Sequence, residues 1–67
     1  MADQFVRGQR YSIVTVGDGF YTGIVDDSTE TAVSLLLTED SDYFFADDLV
    51  TLNLNQIIAV SRVLQND

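Results

Sequence analysis

The stretch RYSIVTVGDGFYTGIV, Arg10 to Val25, decides the fold. Its first half is built of Tyr, Ile, Val and Thr, side chains that suit a pleated, half-buried strand. Gly17-Asp18-Gly19 then interrupts with residues that tolerate positive φ, the mark of a tight hairpin turn, and Phe20 to Val25 resumes the strand chemistry. Gly23, inside this second run, marks a bend or a close approach of another backbone, as a tightly curved sheet requires.

Working outward, Asp26-Asp27-Ser28-Thr29-Glu30 reads as the next turn and Ala32 to Thr38 as a third strand. Leu35-Leu36-Leu37 defeats simple alternation, so this strand is expected to meet apolar surroundings on both faces. After the acidic loop Glu39-Asp40-Ser41-Asp42, Tyr43-Phe44-Phe45 begins a fourth strand that bends at Ala46-Asp47-Asp48 and resumes at Leu49 to Leu52. A short polar turn at Asn53, Asn55 and Gln56 leads into a last β-branched strand, Ile57 to Leu64. The expectation is an all-β fold, a small, strongly bent antiparallel barrel of five strands. Its buried side chains are expected to be Ile13, Val14, Val25, Val33, Leu35, Leu37, Val50, Leu52, Ile58 and Val60. Ahead of it, Asp3 as N-cap, Phe5 and Val6 as an apolar side and Gly8 as a C′ stop predict one or two helical turns over Met1 to Gly8.

Sixty-seven residues make one domain, 1–67, and a core this small seldom supplies more than about 3–5 kcal/mol. Such domains draw on disulfides, a metal or self-association. The chain has no Cys and no His, which removes disulfides, thiolate or imidazole zinc sites and His-activated nucleophiles. Self-association is the remedy left. Proline is absent too, so the edge strands lack a common block to pairing, and Tyr43, Phe44, Phe45, Leu49, Ile57 and Ile58 are the candidate interface residues. A closed ring would satisfy both edges.

Eleven acidic residues face three Arg and no Lys, a net charge of −8. Phosphate is repelled by such a field unless Arg7, Arg10 and Arg62 gather on one face. The same charge keeps a protein soluble, and it also fits a basic protein partner, or imitation of nucleic acid towards a protein that grips it. Met1 to Arg10 carries no apolar run after a basic start, and no stretch approaches the ~20 apolar residues of a membrane span, so a cytoplasmic protein is expected. No catalytic residues, cofactor or metal are expected. Gly17 and Gly19 sit between strands with no Lys, unlike a phosphate loop, and the Asp40–Asp48 carboxylates lack the glycine and terminal Glu of a calcium loop.

The Asp18-Gly19 turn, Gly23 in the second strand, the long apolar third strand and Leu52-Asn53-Leu54-Asn55-Gln56-Ile57-Ile58-Ala59-Val60 together resemble the two motifs of the Sm-like family. The resemblance spans Ile13 to Val63. It implies a short N-terminal helix on a bent five-stranded barrel, with the fourth strand of one copy pairing to the fifth of the next in rings of about five to eight. It also implies RNA as ligand. Family members that bind uridine-rich RNA use an Asp and an Asn around the start of the third strand and an Arg-Gly or Lys-His pair in the last turn. Here those places read Thr29-Glu30-Thr31-Ala32-Val33 and Asn53-Leu54. Thr29, Glu30, Asn53, Asn55 and Gln56 are therefore the candidate nucleic-acid contacts, with amides for base edges and exposed rings for stacking. Each has a plainer use: Asn53 and Asn55 in turning the backbone, Tyr21, Tyr43 and Phe44 in a core or interface.

Overall fold

The structure, a computed structural model, describes residues 5–64. Five strands form one antiparallel sheet: β1 Arg10–Thr15, β2 Gly19–Ser28, β3 Ala32–Leu37, β4 Leu49–Asn53 and β5 Ile57–Val63. Their order across the sheet is β4-β3-β2-β1-β5, so β4 and β5 are its two edges and the sheet is not closed by hydrogen bonds between them.

The β1–β2 hairpin forms where the sequence places it. Gly17 and Asp18 both take positive φ, 78° and 66°, in the turn Val16–Asp18, and the strands then pair from Thr15↔Gly19 to Arg10↔Ile24. Beyond Val25 the register shifts by one residue, so Asp26 and Asp27 both stay in water while pairing with β3 continues to Ser28↔Val33. This bulge corrects the expected turn at Asp26: the strand runs on, and the turn is Thr29 to Thr31. Thr29 closes it, its Oγ1 accepting from the Ala32 amide at 3.1 Å and its own amide donating to the Ala32 carbonyl at 2.8 Å.

One cluster of Phe5, Tyr11, Ile13, Val25, Val33, Leu35, Leu37, Val50 and Leu52 is buried, with Tyr21, Leu54 and Ile57 packed against it. Apart from Phe5, which precedes β1, its residues come from β1 to β4. Burying each large side chain contributes about 1.5–3 kcal/mol. At Gly23 the backbone of β3 comes close: a Cβ there would stand 2.6 Å from the Leu36 carbonyl oxygen. Leu36 itself points outward and is exposed between buried Leu35 and Leu37.

Three expectations are corrected. Within the described residues the N-terminal segment is not helical; Phe5 to Gln9 turns, with Gly8 at φ 86° and the Gln9 amide donating to the Val6 carbonyl, and the segment ties to β2 where the Gly8 amide donates to the Val25 carbonyl and the Val25 amide to the Gln9 carbonyl. Met1 to Gln4 lie outside the described residues. Phe5 turns inward onto Tyr11, ring centroids 5.3 Å apart and nearly perpendicular, and the Val6 amide donates to the Tyr11 hydroxyl at 2.9 Å. Second, Tyr43-Phe44-Phe45 is loop, and β4 begins only at Leu49. Local bonds hold that loop: Ser41 N–H to Phe44 O, Asp48 N–H to Phe45 O, and Asp47 at φ 77° breaks the extended path. Third, Ile58 and Val60 are not core; they are 64% and 38% exposed. They lie on an edge strand that, among the described residues, pairs with β1 alone. Val14, also expected inside, is half-buried.

Candidate functional site

Two loops that are distant in sequence meet because β3 pairs with β4, Ala32 opposite Asn53. The Leu54 amide donates to the Thr31 carbonyl at 2.9 Å and ties the β2–β3 turn to the short helical turn Leu54–Gln56. Between them lies a concavity of about 290 Å³, lined by Glu30, Thr31, Asn53, Leu54 and Asn55. Of the five predicted nucleic-acid contacts, the fold therefore brings Glu30, Asn53 and Asn55 onto one wall. Gln56 lies beside it, its Nε2 3.4 Å from Asn55 Oδ1. Thr29 is spent on its own turn, where its hydroxyl accepts from the Thr31 and Ala32 amides.

Asn53 is not used to turn the chain. Its backbone is extended, φ −75° and ψ 132°, and its side chain makes no cap bond to the turn that follows. The concavity thus offers a carboxylate acceptor and two amides. No arginine lines it. Arg62 is engaged elsewhere, its Nη2 donating to Gln9 Oε1 at 2.8 Å.

A second concavity, about 230 Å³, opens between the hairpin turn and the β3–β4 loop. Thr15, Val16, Gly17, Gly19, Phe20 and Tyr21 form one side of it, and Ser41, Asp42 and Tyr43 the other. The loop is moored by Tyr21 against Phe44, ring centroids 6.2 Å apart. Two of its carboxylates are structural: Asp40 Oδ1 accepts from the Ala46 amide and Asp48 Oδ2 from the Phe45 amide, both at 2.9 Å. Sequence reading missed this site, because only the fold sets the hairpin turn against a loop more than twenty residues away. Among the described residues no group of three metal-ligating side chains converges.

The predicted interface residues separate into three places. Tyr43, Phe44 and Phe45 belong to the loop, with Tyr43 84% and Phe45 69% exposed. Leu49 opens the edge strand β4 and is 59% exposed; Ile58 lies exposed on the opposite edge strand. Ile57 packs inward against the core. Across the outer face, Leu36 stands opposite Leu49 and extends the apolar surface at the β4 edge.

No family model matches this chain, and neither a curated protein nor a solved structure is significantly similar to it.

Proposed function

We propose that this chain is an Sm-like, non-enzymatic adaptor that works as a homo-oligomeric ring, with β4 of one copy pairing to β5 of the next. The observation that carries the reading is the strand order, which leaves β4 and β5 as the two open edges of one antiparallel sheet. Exposed Leu49 and Leu36 stand near one edge and Ile58 and Val60 on the other. Neither edge carries a lysine or proline to block pairing. Pairing different edges is a head-to-tail contact, which closes into a ring when the rotation between copies allows it. A barrel completed across the subunit boundary, and about five to eight copies per ring, follow from the resemblance.

RNA is the ligand that the resemblance suggests, and the wall of Glu30, Asn53 and Asn55 is where it would touch bases. That wall has no cation, and a net charge of −8 per copy opposes phosphate. Adaptor work on protein is therefore the better reading, in the cytoplasm, and among the described residues no helix is long and apolar enough to cross a membrane. Light scattering and native mass spectrometry at ten to a hundred micromolar test it. Discrete closed oligomers are expected; a monomer over the whole range would overturn the ring, and tight, salt-sensitive binding of uridine-rich or adenine-rich strands would overturn the preference for protein.

A further inference from the structure

The concavity between the hairpin turn and the β3–β4 loop has a composition that the ring does not account for. Its rim is aromatic and uncovered: Phe20 and Tyr43 line it, and both are exposed. Its charge is wholly negative. Asp42 is in the wall, Asp18 is in the hairpin turn, and Glu39 and Asp47 belong to the same loop. Unlike Asp40 and Asp48, these four carboxylates make no hydrogen bond or ion pair within the described residues.

The walls are preformed. Gly17 and Asp18 hold the hairpin in left-handed geometry, and the Tyr21–Phe44 contact fastens the loop to β2. Gly19 makes room for two side chains, since a Cβ there would collide with Thr15 Oγ1 and come within 3.1 Å of Tyr21 Cε2. An aromatic face attracts a guanidinium or ammonium through its quadrupole, and a carboxylate on the same rim, as Asp42 is, adds pairing and repels phosphate. We infer that this concavity seats a cationic side chain, arginine or lysine, from a basic segment of a protein partner, with Phe20 and Tyr43 against its face and Asp42 against its charge. The inference rests on the adaptor reading for its context and names the class of partner.

The test titrates the full ¹⁵N-labelled chain with a short Gly/Ser peptide carrying three arginines, and with the same peptide carrying citrulline in their place. Resonances of Gly17 to Tyr21 and Ser41 to Tyr43 should move with the arginine peptide and stay still with citrulline. Asp42→Asn and Tyr43→Ala should each weaken binding by about three- to tenfold. Asp26→Asn with Asp27→Asn, remote carboxylates that remove more charge, should weaken it less than either. Absence of binding overturns the inference, as does equal weakening by the remote pair, which would mean a diffuse field, or movement centred on Glu30 and Asn53. A uridine-rich strand that moves the same resonances would also overturn it. Light scattering on every sample separates this result from the ring: lost peptide binding with intact oligomers refutes the pocket, and peptide binding by a monomer refutes only the ring.

Discussion

Gly23 on β2 lies so close to Leu36 on β3 that a Cβ added to it would stand 2.6 Å from the Leu36 carbonyl oxygen and 3.0 Å from the Leu37 Cα. The obstruction is backbone, so relief requires the two strands to part. Gly23→Ala should therefore cost about 1–3 kcal/mol of stability, the usual range for overpacking a filled interior. Urea unfolding checks it, and an unchanged midpoint would refute the close approach.

Gly17 is the counter-example, with φ 78° and open space where a Cβ would go. Gly17→Ala should cost about 1 kcal/mol, from left-handed backbone alone. Asp18 and Asp47 carry the same conformation at φ 66° and 77°, so Asp47→Gly should be neutral or slightly stabilising. The order of midpoints, Gly23→Ala lowest and Asp47→Gly highest, is the measurement.

Tyr11→Phe should cost about 0.5–1.5 kcal/mol, because the buried hydroxyl accepts the Val6 amide. Its specific sign is local. Hydrogen exchange at Val6 should accelerate much more than at Ile13, whereas equal acceleration at both would mean that the bond does not hold the N-terminal segment.

Leu49→Lys and Ile58→Lys place a charge on exposed side chains at opposite edges, so each should leave the fold's stability within about 0.5 kcal/mol. Each should also dissociate the proposed ring, since a lysine on an edge strand opposes pairing. Light scattering with a thermal melt reads both; intact rings in both variants would refute the edge contact.

Salt should strengthen assembly. Copies of charge −8 repel one another, and raising ionic strength from about 0.02 to 0.3 M shortens the Debye length from about 20 Å to about 6 Å, which screens that repulsion. The dissociation concentration should fall as salt rises; the opposite trend would mean that ion pairs, not apolar edges, hold the copies together.

The sequence by itself determined the strands that carry their own signals. Gly17-Asp18 can adopt positive φ, Gly23 can admit another backbone, and the alternation of Ile13, Val33, Leu35, Leu37, Val50 and Leu52 names one face, so hairpin, bend and most of the core were legible. Glu30, Asn53 and Asn55 were legible as a candidate group through the family resemblance, and strand pairing does bring them onto one wall. What only the tertiary structure decided depends on what lies opposite. Ile58 and Val60 have the chemistry of core residues, yet they stay exposed on β5, an edge strand that among the described residues pairs with β1 alone. Phe5, on a segment that reads as helix, becomes core because Tyr11 and Val25 offer its chain better partners than a helical turn would. The aromatic, acidic concavity is the strongest case. Phe20 and Tyr43 line one concavity only because β2, paired with β3, carries the hairpin turn against the loop, and no local pattern of residues encodes proximity across that distance.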